Sequence, residues 1–187
     1  MAHLTRFFSM LVFMILTPCV DAKDNQMTSY TEQNVWQEIQ QFLPEKYRLN
    51  STNVPTEEWW DWNGNKLHLD TYRNPHAKIK VILFHGVGTN GRQMSLILGH
   101  PLAEKDYETI AVDMPGYGLT QVAATQTIRY EDWVQAGSDL IDAELAKDDR
   151  PIVLYGLSAG GMLTYHVASK NKKSKSNRWY DFFRYRV

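Results

Sequence analysis

Gly156-Leu157-Ser158-Ala159-Gly160-Gly161 stands between an apolar run, Pro151 to Tyr155, and a stretch of helical character, Met162 to Ser169. A short apolar run closed by glycine reads as a buried strand, and G-x-S-x-G between a strand and a helix forces the chain through a turn sharp enough to project the serine hydroxyl. That turn strains the backbone at Ser158, and Gly156 and Gly160 keep neighbouring side chains from colliding in it. The helix that follows points its first N–H groups at the same place, where they favour developing negative charge. Ser158 is therefore the candidate nucleophile, and the N–H of Ala159 is by position one donor of an oxyanion hole.

Upstream, the same alternation repeats. Ile79 to Phe84 is a nearly continuous apolar run ending in His85-Gly86, and a helix-like stretch from Arg92 to Glu104 follows. Thr109 to Val112 is another buried strand, closed by Asp113-Met114-Pro115-Gly116-Tyr117-Gly118. Tyr130 to Lys147 reads as a helix with Trp133, Ala136, Leu140, Ile141, Ala143 and Leu145 for its inner face. Strands alternating with helices predict a mostly parallel sheet covered by helices on both faces, an α/β architecture. A second oxyanion donor is expected from the loop after the earlier strand, His85-Gly86-Val87-Gly88, at the N–H of Val87. Gly86 and Gly88 give the backbone access that side chains would block, and His85 shapes that loop.

Before the first parallel strand, Trp59-Trp60-Asp61-Trp62 and Lys66 to Tyr72 flank Asn63-Gly64, a hairpin signal. The tryptophans read as cross-strand packing rather than as a ligand platform. Earlier still, Val35, Trp36, Ile39, Phe42 and Leu43 recur at helical spacing, with Ser29 and Glu32 expected as a capping box and Pro44 as the stop. At the start, Arg6, the apolar run Phe7 to Val20 and Val20-Asp21-Ala22 resemble an export signal cleaved after Ala22. Periplasmic or secreted location follows, with a lipid-modified Cys19 as the alternative and the only expected route to membrane contact. The domain reading is 1–22 signal, 23–55 helical extension, 56–173 the α/β domain and 174–187 a basic-aromatic tail.

With His85-Gly86, Asp113 to Gly118 and the elbow at Ser158 in this order at three strand ends, the chain resembles the α/β-hydrolase family from roughly Glu58 to Lys173. The resemblance implies a Ser–His–acid triad, a small-molecule ester or other acyl substrate, and neither metal nor organic cofactor. A serine at the elbow is similar to esterases, lipases and serine peptidases. The family places its acid after a sixth or seventh strand and its histidine after an eighth, and the chain offers only His166 beyond Ser158. His166, two turns along the next helix, reads as structural; His68, His76 and His100 show no acid partner, and Asp113 reads as a backbone anchor of its turn.

The tail carries Lys170, Lys172, Lys173, Lys175 and Arg178, then Trp179, Tyr180, Phe182, Phe183 and Tyr185. Taken literally it would suit an anionic surface. Back-translated through its adenine-rich codons with one A removed, it reads from the Ser174 codon as Val-Lys-Ala-Ile-Gly-Gly-Met-Thr-Phe-Leu-Asp-Ile-Glu, an apolar strand ending in acids. Residues beyond about Lys173 are therefore expected to be out of frame, and the hydrolase domain truncated and inactive.

Composition narrows the alternatives. The 187 residues carry 20 Lys plus Arg against 21 Asp plus Glu, so no nucleic-acid partner is expected from bulk charge. One cysteine excludes an internal disulfide framework and a paired-thiolate zinc site. Two rivals remain. Gly86-Val87-Gly88-Thr89-Asn90-Gly91 followed by Asp113 has the pattern of a dinucleotide-binding oxidoreductase. The missing base favours a non-catalytic binding module on a hydrolase-like scaffold.

Overall fold

The computed structural model describes residues 29–171. The export signal, Cys19 and the basic-aromatic tail lie outside them. Two strands, β1 (Thr56–Trp62) and β2 (Asn65–Tyr72), form the expected hairpin. Its two-residue turn has φ of 47° at Asn63 and 77° at Gly64, the two left-handed positions that a tightly twisted hairpin demands. β3 (Lys80–Phe84), β4 (Glu108–Val112) and β5 (Ile152–Gly156) follow. The sheet order is β1-β2-β4-β3-β5, with β3 parallel to both β4 and β5 and the hairpin joined antiparallel through β2 to β4. The sheet is therefore mixed, a parallel half that carries the Ser158 elbow beside an antiparallel half.

Period-two alternation sorts the strand residues to two faces. Ile82, Phe84, Ile110, Val112, Leu67 and Leu69 pack with α4 (Tyr130–Lys147) and α5 (Ala159–Lys170). Val81, Leu83 and Ala111 face Met94 and Leu98 on the other side. Trp62 is buried in the first of these layers, with Nε1 donating to Asp139 Oδ2 at 2.8 Å, and Trp60 packs against it. Packing, not a ligand platform, is what two of these tryptophans do.

The helical stretch after β3 is continuous but not uniform. α2 (Gly91–Met94) passes through a π turn at Ser95–Gly99 into α3 (His100–Ala103). Pro101 has no N–H to give the carbonyl four residues earlier, and the wider turn sits immediately before it. α4 begins with the Arg129 N–H donating to Asp132 Oδ2 at 2.8 Å and ends on Lys147, complementing its dipole at both ends. Its inner face differs from the sequence reading: Gly137, Ser138 and Glu144 are buried as well, and Glu144, 1% exposed, lies deeper than the expected Ala143. Glu144 pairs with Arg73 (2.9 Å) and Lys80 (3.4 Å) at the base of the sheet.

α1 (Asn34–Gln40) is shorter than its pattern, and no capping box forms. Ser29 instead donates its hydroxyl to Glu57 on β1. Trp36 is buried, Ile39 and Leu43 pack beside it, and Val35 and Phe42 stay exposed, because two turns present one narrow stripe to the body.

Candidate active site

The carboxyl ends of β3, β4 and β5 lie side by side, so the loops after them meet. Ser158 stands between β5 and α5 with φ 55° and ψ −120°, a conformation that a non-glycine residue adopts only when its surroundings enforce it. Backbone contacts enforce it here. A Cβ on Gly160 would lie 2.4 Å from the Phe84 carbonyl oxygen, and one on Gly156 would lie 2.0 Å from the Gly160 carbonyl oxygen. The Leu157 N–H donates to the Phe84 carbonyl (3.1 Å), while the Gly160 and Gly161 N–H groups donate to Leu157 and Ser158 (2.8 and 2.9 Å). Ser158 is left exposed, and among the described residues no side chain bonds its hydroxyl.

The loop after β3 presses against this turn. A Cβ on Gly86 would sit 3.2 Å from the Ser158 Cβ and 3.0 Å from the Leu157 carbonyl oxygen. Thr89 Oγ1 accepts from the Gly86 N–H and donates to the Gly86 carbonyl, both at 3.1 Å. Val87 is 70% exposed at the tip, and Gly88 turns the chain with φ 73°. No acceptor among the described residues takes the N–H of Val87 or of Ala159.

His85 is buried, and both its nitrogens are engaged. Nδ1 lies 2.8 Å from the Gly86 carbonyl, and Nε2 accepts from the Met114 N–H at 3.1 Å. These partners fix the tautomer with the proton on Nδ1. Burial lowers its pKa, despite the Gly86 carbonyl and Asp113, so the ring is neutral. Tyr117 and Trp133 pack on it with centroids 5.0 and 5.9 Å away, and Trp133 Nε1 donates to the Pro115 carbonyl at 2.9 Å. The ring ties two loops together.

Asp113 holds backbone, as its position predicts. Oδ1 accepts from the Gly91 N–H (2.6 Å) and Oδ2 from the Leu119 N–H (2.8 Å). Burial would raise its carboxyl, but His68 and these two N–H groups keep it below the usual range. The dinucleotide reading loses its acid here, because the carboxylate faces inward and already occupies the glycine-loop amide.

His68 corrects the sequence reading, which saw no acid partner for it. Its Nδ1 lies 3.2 Å from Asp113, and its Nε2 lies 3.8 Å from Asp70 and 3.9 Å from Glu57. The signal was present: His68 and Asp70 alternate with Leu67 and Leu69, so they share a face, and that face is buried beneath Tyr30 and Arg92. Glu57, His68 and Asp70 bring ligand atoms within 4.8 Å of one another, a spacing that a metal could bridge. Arg92 already binds both carboxylates there, with Nε 2.5 Å and Nη2 2.9 Å from Asp70. The guanidinium fills the place of a cation.

Among the described residues, none of the other histidines meets Ser158. His166 Nδ1 contacts the Tyr130 hydroxyl at 2.9 Å, His76 is exposed, and His100 approaches Glu104 at 4.0 Å.

A sequence model of the alpha/beta hydrolase family matches residues 81–182. Protein phosphatase methylesterase 1 of Bos taurus is 25% identical over 91 residues, 49% of this chain and 24% of the relative. Pimeloyl-[acyl-carrier protein] methyl ester esterase of Legionella pneumophila (strain Corby) is 30% identical over 102 residues, 54% of this chain and 36% of the relative. The chain thus spans about a quarter to a third of the length of these curated relatives. Among solved structures, the thioesterase domain from the curacin biosynthetic pathway aligns with TM-score 0.51 and 25% identity, over 63% of this chain and 40% of that one. A soluble variant of monoglyceride lipase from Saccharomyces cerevisiae aligns with TM-score 0.56 and 20% identity, over 66% and 42%, a likeness of fold.

Proposed function

The chain belongs to the alpha/beta hydrolase family, and on that premise we propose that it is a serine hydrolase of carboxylic esters with Ser158 as its nucleophile. The observation that carries this reading is the left-handed backbone at Ser158, held between backbones too close for a side chain at Gly156 or Gly160. Such strain costs about 1–3 kcal/mol and leaves the hydroxyl exposed at the strand ends, where function gives it a reason to persist.

In the proposed step the Ser158 oxygen bonds to the ester carbonyl carbon, and the carbonyl electron pair moves onto oxygen. The N–H groups of Ala159 and Val87 receive that oxyanion. The intermediate collapses to an acyl-serine and an alcohol, which takes up the proton that the serine gave to a base, and water then releases the acid. Two of the relatives are a methylesterase and a methyl ester esterase, which favours esters of small alcohols as substrates.

No described histidine has Ser158 as a partner, so both acylation and turnover are expected to be slow with the described residues alone. A fluorophosphonate should label the protein slowly, Ser158→Ala should abolish labelling, and hydrolysis of a nitrophenyl ester should be slow. Labelling that survives Ser158→Ala would end the reading. The lack of a described histidine at Ser158 also supports a second one, a non-catalytic binding module, which predicts ester binding with neither labelling nor release of nitrophenol. Export is proposed as well, and the amino terminus of the protein recovered outside the cytoplasm should begin at Lys23.

A further inference from the structure

Asp113 gathers three separate parts of the chain. Besides the N–H groups of Gly91 and Leu119, its Oδ2 accepts the hydroxyl of Tyr30 at 2.8 Å, from 83 residues away. Gly91 closes the loop that carries Val87. Leu119 belongs to the turn whose Met114 N–H is held by His85. Tyr30 belongs to the segment ahead of the sheet and is 2% exposed. Its ring meets Trp36 and His68 edge-on at 5.2 and 5.0 Å, with the Arg92 guanidinium 5.1 Å from its centroid. Its own N–H donates to Glu57 Oε1 at 2.8 Å.

We propose that Tyr30 is a positioning residue for the oxyanion loop, acting through Asp113, so that the segment ahead of the sheet is a working part of the site. This rests on the reading of Ser158 and Val87 given above. The loop from His85 to Gly91 is bonded to the turn after β4 through two side chains, Asp113 and His85. Oδ2 of Asp113 carries three contacts, the Leu119 N–H, the Tyr30 hydroxyl and His68 Nδ1 at 3.2 Å, so losing the hydroxyl removes one of three restraints on the carboxylate. A buried hydroxyl is a strong donor to a carboxylate. Burial and Asp113 push the Tyr30 pKa far above that of an ordinary tyrosine, so the hydroxyl keeps its proton across the working range.

In the full chain, Tyr30→Phe retains the ring contacts and deletes this one bond. Amide hydrogen exchange at Gly91 and Leu119 should quicken about tenfold, with β3 and β5 unchanged. The maximal rate of fluorophosphonate capture at Ser158 should fall about fivefold, with the apparent affinity for the probe unchanged. Trp36→Phe trims the same packing without touching Asp113 and should do neither. Ser29→Ala, which loosens the segment and leaves the hydroxyl in place, should quicken Gly91 less, in the same direction. Unaltered exchange at Gly91 in both Tyr30→Phe and Ser29→Ala overturns the proposal, as does equal quickening throughout the sheet or an equal effect from Trp36→Phe. If the parent chain takes no label, the hydrolase reading fails by itself, and the exchange pattern alone decides the role of Tyr30.

Discussion

Neighbouring glycines at the elbow have opposite prospects. Gly160 faces the Phe84 and His85 carbonyl oxygens, where a Cβ would lie 2.4 and 2.6 Å away, and backbone cannot yield as a side chain can. Gly160→Ala should lower unfolding free energy in urea by about 3 kcal/mol or more and distort Ser158. Gly161, one residue on, would place its Cβ 3.4 Å from the Gly156 carbonyl oxygen, an ordinary contact inside α5. Gly161→Ala should be neutral or stabilise by up to about 1 kcal/mol, through helix propensity. The motif marked Gly160 from sequence alone, because the spacing around a nucleophile is local. The carbonyl oxygens that a Cβ there would meet, brought in from β3 and the loop after it, were not legible in the motif. His68 was legible only in part: Asp70 shares its strand face, whereas Glu57 on β1 and Asp113 beyond β4 reach it from elsewhere.

Elements whose stability is decided by nearby residues were legible. The hairpin turn at Asn63-Gly64, the full span of α4 and the alternation of buried strands with helices all follow from turn chemistry and periodicity. Within α4, Asp132 receives the N–H of Arg129, and Asp132→Ala should cost about 1 kcal/mol in a denaturant titration. α1 was misread at its start, since Ser29 finds a better partner in Glu57 than in its own helix. The π turn ahead of Pro101 was not foreseen, because the pattern registers helix without its pitch. The edge of the sheet matters too. Among the described residues β5 has a neighbour on one side only, and Tyr155, Leu157, Met162 and Tyr165 are exposed beside it. An uncharged edge of this kind invites self-association, and Tyr155→Lys should reduce concentration-dependent light scattering.

At the scale of the molecule, two buried charge networks flank the sheet, and their titration sets the dependence of stability on pH. Burial alone would raise Glu58, Glu144 and Asp113. Arg73 on the two glutamates, and His68 with the Leu119 and Gly91 amides on Asp113, outweigh it and hold all three low. Carboxyls lowered in this way contribute stability that is complete above their unfolded values of about 4 and is lost as pH falls through the folded ones. Asp70, raised by burial against the pull of Arg92, works in the opposite sense. His85 acts earlier in an acid titration. Its folded pKa lies below the ordinary 6.5, so the unfolded chain takes up the proton first and stability declines as pH drops under that value. Urea melts from about pH 8 to 3 should show both declines, and His85→Gln should remove the upper one; persistence of the upper decline would assign it to another group.

The strands, the helices between them and the serine turn were determined by the sequence, because each depends on periodicity and on residues within one turn of each other. Only the tertiary structure decided that Tyr30 reaches Asp113, that Arg92 fills the acid cluster around His68, and that no described histidine meets Ser158. Those facts depend on side chains brought together across a sheet from distant positions, and a linear pattern carries no information about which distant partners will share a buried space.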